Sequence, residues 1–120
     1  MAHARIVLTG GPGFGKSSII ASLSTQGFPT APESSRILIE RLLEVAPHTL
    51  PWHDRTAFQE LIIAQRIADY HQAAALAGDG FCFFDRGLPD EIAYFMKDGV
   101  SPSSAAVEAA ARYRYDAVFI

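Results

Sequence analysis

"GGPGFGKSS", Gly10 to Ser18, follows the short apolar run Ile6 to Leu8 and precedes Ile19, Ile20 and Leu23 at helical spacing. Gly10, Gly15, Lys16 and Ser17 fall at the positions of G-x-x-x-x-G-K-[ST]. Glycines let the backbone curl so that successive N–H groups point inward at phosphate oxygens. A helix starting near Ser17 adds its positive N-terminal end. Lys16 reaches the β- and γ-phosphates, and the Ser17 hydroxyl is offered to Mg²⁺. Four fixed positions arise by accident with a chance well under ~1% over such a chain. The loop is therefore read as a cradle for a nucleoside triphosphate, formed by Gly10, Gly11, Pro12, Gly13, Phe14, Gly15, Lys16, Ser17 and Ser18.

Working outward, apolar strands alternate with helices. A very short strand is expected around Phe28 to Thr30, and a helix from Glu33 to about Val45. "APHTLPWH" breaks the chain, and Asp54 caps a long helix through about Ala77 with Phe58, Leu61, Ile62, Gln65 and Ala68 along one stripe. "FCFF" is a second buried strand ending at Asp85, followed by helices over about Pro89–Lys97 and Ser103–Arg112 and by the apolar strand "DAVFI". This order predicts an α/β fold, three layers α/β/α around a mainly parallel sheet. A chain that stops on an apolar strand is expected to be the N-terminal portion of a longer domain, or to take its last elements from elsewhere, with a complete three-layer domain as the alternative.

Composition narrows the classes. The 120 residues carry a formal net charge of −3, with two lysines and eight arginines and no basic cluster. Nucleic-acid binding, which needs a basic face, is disfavoured. No stretch approaches the ~18 apolar residues of a membrane span, so a cytoplasmic protein without a membrane partner is expected. The one cysteine, Cys82, reads as a small buried residue. His3, His48, His53 and His71 share no metal-ligand spacing.

Two further stations complete the chemistry. Asp85, at the end of a buried strand beside the loop strand, is placed to bind Mg²⁺; as a helix cap or turn residue it would be inert. Arg86 either clamps a phosphate with its planar fork or pairs with a nearby acid. Glu33 stands where a carboxylate accepts a proton from an acceptor hydroxyl, or where a helix dipole favours one. On the long helix, Gln59, Gln65 and Arg66 are candidate acceptor contacts, with Trp52 and Phe58 able to stack a ring.

Absences sort the reactions. No aspartate begins Asp-x-x-Gly, and the chain has no asparagine, so the usual GTPase elements are missing. Arg86 occupies the position where motor-type ATPases carry a water-activating Glu. A small-molecule kinase needs only the cradle, Mg²⁺, an Arg clamp and a base.

"LTGGPGFGKSS", "APESSR", "LPWHDRTAFQE" and "FFDRGLPDEIAYF" together resemble a family of predicted bacterial P-loop ATPases or kinases of the AAA-domain-28 type. That family is similar to nicotinamide-riboside kinase domains and, more distantly, to deoxynucleoside and thymidylate kinases. The resemblance implies that Asp85 serves the metal, Arg86 the phosphates, and Glu33 as base. It also implies an arginine-bearing lid and a final strand after "DAVFI", which residues 1–120 do not include. The expectation is a single domain that binds ATP and Mg²⁺ and transfers a phosphoryl group to a nucleoside- or nucleotide-like hydroxyl. Two alternatives are an ATP hydrolase without an acceptor and a non-catalytic nucleotide sensor. Association of copies through the C-terminal strand is a further expectation.

Overall fold

The computed structural model describes residues 4–10, 15–32 and 34–119. β1 (Ala4–Leu8), β2 (Thr30–Ala31), β3 (Phe81–Asp85) and β4 (Ala117–Phe119) form one sheet in the order β2-β3-β1-β4. Every pairing is parallel, with Leu8 in register with Asp85 and Thr30 with Phe83. The helices are α1 (Lys16–Thr25), α2 (Ser34–Val45), α3 (Arg55–Ala77), α4 (Leu88–Lys97) and α5 (Ser104–Arg112), with a 3₁₀ turn at Pro47–Thr49. The α/β architecture read from the sequence is thus observed.

The crossover from β1 to β2 runs across the sheet in one direction, and those from β2 to β3 and from β3 to β4 run back. Right-handed crossovers then place α1 on one face and α2 to α5 on the other. The second face holds the larger core, where Leu38, Leu42, Phe58, Ile62, Leu88 and Phe95 pack together. Val7, Cys82 and Phe84 of the sheet meet Tyr70 and Ala73 of α3 beneath it. On the α1 side only Ile20 of that helix is buried.

Caps fix the helix starts as expected. The Asp54 carboxylate accepts from Ala57 N at 3.0 Å, and Ser103 Oγ accepts from Ala106 N at 3.1 Å. The stripe on α3 differs from its expected course, and the one on α2 is narrow. On α2 the buried residues are Ser34, Leu38 and Leu42, while Ile37 and Val45 face outward. On α3 they are Phe58, Gln59, Ile62, Ile63, Arg66, Tyr70, Ala73 and Ala74, leaving Ala68 exposed and Leu61 half-buried. The stripe follows steps of four, 58-62-66-70, because α3 lies between the sheet and helices α2, α4 and α5. Among the described residues no helix is long and apolar enough to cross a membrane. Val118 and Phe119 of edge strand β4 are more than half exposed.

Candidate nucleotide site

Because β1 and β3 are direct neighbours, their carboxyl ends release two chain segments side by side. From β1 the chain enters the glycine-rich loop; from β3 it enters the turn Asp85-Arg86-Gly87. Gly11, Pro12, Gly13 and Phe14 lie outside the described residues, as does Glu33.

Gly15 adopts a left-handed conformation, φ 76°, as the N-cap of α1, and no side chain caps that helix. The left-handed turn suits glycine and starts the helix directly at Lys16. With no side-chain cap, the first backbone N–H groups and the positive end of the dipole are left for an anion. Ser17 and Ser18 are exposed on this first turn.

The Lys16 ammonium stands 3.5 Å from Asp85 Oδ1. The pair is an electrostatic contact without hydrogen-bond geometry, for Asp85 Oδ1 is buried and has no hydrogen-bond partner among the described residues. Buried carboxylate oxygens are normally satisfied, so this one marks a place built for a missing electrophile or donor. It fits a magnesium nucleotide: Mg²⁺ takes one or two protein oxygens and completes its shell from phosphates and water. Asp85 and the Ser17 hydroxyl are the oxygens available. No group of three or more His, Cys, Asp or Glu among the described residues could hold a metal unaided.

Arg86 has a left-handed backbone as well, φ 67°, and is the one such non-glycine among the described residues. Its N–H donates to Leu8 O at 2.9 Å, and its Nη2 donates to Gly10 O at 3.3 Å, so the guanidinium reaches the start of the loop. Its Nε is buried without a partner among the described residues. Arg86 therefore has a donor to spare at the cradle, and no carboxylate among the described residues pairs with it.

A family model described as an AAA domain (AAA_28) matches residues 5–120, which include the loop, the Asp85 turn and all four strands. The chain belongs to the AAA_28 family. It is a P-loop nucleotide-binding protein of α/β fold. Searches of curated proteins and of solved structures found no match.

Next to the AAA_28 phosphate loop lies a cavity of about 420 Å³, lined by Ser35, Arg36, Phe58, Arg86, Asp90 and Tyr94, among others. It joins the side chain of Arg86 to α2, α3 and α4. Asp90 is the bracket between cavity and loop: one carboxylate oxygen accepts from Thr9 Oγ1 at 2.6 Å and the other from Gly87 N at 2.8 Å.

Of the acceptor contacts expected on α3, Phe58 alone lines this cavity. Gln59 is buried and ties α3 to the α4–α5 connection, accepting from Ser103 N at 2.6 Å. Gln65 donates to Asp69 one helical turn away at 3.0 Å. Trp52 is exposed beside a smaller cleft of about 180 Å³ that shares Pro51 and Tyr94 with the larger cavity. Arg66 is buried. Its Nε and Nη2 donate to Glu91 Oε1, at 3.0 and 2.8 Å, and its Nη1 to the carbonyls of Asp85 and Arg86, at 2.8 and 3.1 Å.

The last layer of the turn is steric. A Cβ on Gly87 would lie 2.8 Å from the Tyr115 ring, so the glycine is required by close approach rather than by its backbone angles. Tyr115 Oη accepts from Leu88 N at 3.2 Å. Burial pushes the Tyr115 phenol up to about 12, and the Leu88 N–H bond only partly opposes this.

Proposed function

We propose that this AAA_28 domain transfers a phosphoryl group from Mg-ATP to the hydroxyl of a nucleoside- or nucleotide-like small molecule. The observation that carries the reading is the buried, unbonded Asp85 Oδ1 facing Lys16, one residue from an arginine that lines a cavity of small-molecule size. Lys16 and the α1 N-terminus neutralise phosphate oxygens. Asp85 and Ser17 hold Mg²⁺, which when bound spreads the charge that develops on the transferred group. Arg86, whose buried Nε has no partner among the described residues, has the planar fork to follow that group from loop to cavity.

The acceptor occupies the cavity of α2, α3 and α4, where Phe58 and Tyr94 offer aromatic surface and Arg36 and Asp90 offer polar contacts. Its hydroxyl oxygen bonds to the γ-phosphorus while the bond from that phosphorus to the bridging oxygen breaks, and ADP leaves. The hydroxyl proton passes to a carboxylate. Glu33 is proposed as that base, since Ser35 and Arg36, two and three residues on, line the cavity.

The test is ATP consumption with and without a panel of nucleosides and nucleoside monophosphates. Consumption that rises with one acceptor and yields its phosphate ester supports transfer. Consumption that no acceptor changes, with free phosphate as product, replaces it with simple hydrolysis.

A further inference from the structure

The nucleotide site contains a left-handed non-glycine residue at the point where its two charged side chains diverge. That conformation is sterically costly for any residue with a Cβ, and it persists only where its surroundings over-determine it. Arg66 supplies much of that determination. From inside α3 it spans the turn, donating to the carbonyls on both sides of the Arg86 Cα, those of Asp85 and Arg86. Its other two donors are locked onto Glu91 of α4, so the guanidinium cannot swing away. Arg66 does not line the cavity and has no contact with the glycine-rich loop among the described residues. It acts on the site only through the backbone of residues 85 and 86.

We infer that Arg66, locked by Glu91, is a positioning residue that sends the Asp85 carboxylate toward Lys16 and the Arg86 guanidinium toward Gly10. The inference rests on the nucleotide-site reading above and adds a requirement to it. Without the clamp, Arg86 relaxes toward an ordinary backbone conformation, and the two side chains no longer converge on one bound metal-nucleotide. Binding through Lys16 and the loop amides alone does not need the clamp.

The experiment compares wild type with the double variant Arg66→Met/Glu91→Leu in the full chain. Removing both charges together avoids an orphaned buried ion, so the fold is retained, as an unchanged unfolding midpoint would record. Two readouts follow, neither of them catalytic. Without nucleotide, amide exchange at Arg86, Gly87 and Leu88 is expected to speed up by about tenfold or more in the variant. With ATP, the gain in affinity on adding Mg²⁺ is expected to shrink by about tenfold or more, while affinity in excess chelator stays within about twofold. A variant that keeps its magnesium-dependent gain overturns the inference, whatever its exchange rates. A wild-type chain that binds no ATP removes the nucleotide reading instead, and unchanged exchange at the turn would then overturn the positioning role separately.

Discussion

The Arg66–Glu91 pair is 2.8 Å long and bonded through two guanidinium nitrogens. The Lys16–Asp85 pair, on the far side of the same turn, is 3.5 Å long and forms no hydrogen bond. Both are buried, so solvent does not explain the difference. The first pair is closed on the arginine side, where three nitrogens find four acceptor contacts. The second is open, with a buried carboxylate oxygen that no donor among the described residues bonds. One turn of chain thus carries a structural ion pair and a poised one. Stability and function should separate when the two are perturbed.

The largest effect should come from breaking the closed pair on one side only. Arg66→Met alone, or Glu91→Leu alone, strands a buried charge and is expected to cost about 3–5 kcal/mol in denaturant unfolding, with the double variant far less affected. Equal losses in single and double variants would show that side-chain packing, not charge, holds the turn.

Alkali should act next, through the tether on the other side of the turn. The Tyr115 phenol rises from 10.0 to about 12 in the fold. The folded state therefore keeps a proton that the unfolded chain gives up. Its contribution is complete below about pH 10 and is lost as pH climbs toward 12, a fall of about 1–3 kcal/mol. Burial also raises Tyr70 and Cys82, which slope the same way. Tyr115→Phe should flatten the decline between pH 9.5 and 11.5 in ~30 °C unfolding series.

Gly87→Ala should cost about 1–3 kcal/mol, because the added methyl meets the Tyr115 ring at 2.8 Å and displaces the Leu88 N–Tyr115 Oη bond. The smallest change in stability is expected at the open pair. Asp85→Asn should move unfolding by less than about 1 kcal/mol, since Oδ1 has no hydrogen bond to lose among the described residues and the Lys16 ammonium keeps some solvent contact, yet it should abolish the magnesium-dependent part of ATP binding. A large loss of stability there would mean that Lys16–Asp85 is a second structural pair.

The order of strands and helices was legible from the sequence because β1 and β3 carry short apolar runs and because α3 and α5 begin at side-chain caps. The phosphate loop was legible because its chemistry is local: glycines, lysine and serine act within a few residues. Asp85 and Arg86 were legible as candidates from their place after a buried strand. Arg66 was not. A lone arginine on a helix reads as a ligand contact or a solvated side chain, and its partners lie 19 to 25 residues away. The available signal was the spacing 58-62-66-70, which puts Arg66 between Ile62 and Tyr70 on the buried stripe. The left-handed backbone of Arg86 and the fit of Gly87 against Tyr115 had no local signature at all, since both depend on how distant segments meet.

The most direct test of the open pair is a calorimetric titration of the wild-type chain with Mg-ATP beside Lys16→Ala. A charge-assisted contact to phosphate is worth about 1.5–3 kcal/mol, so affinity should fall at least about tenfold in the variant. Equal affinities in the two proteins would contradict the account, leaving Lys16 as a partner of Asp85 and nothing more.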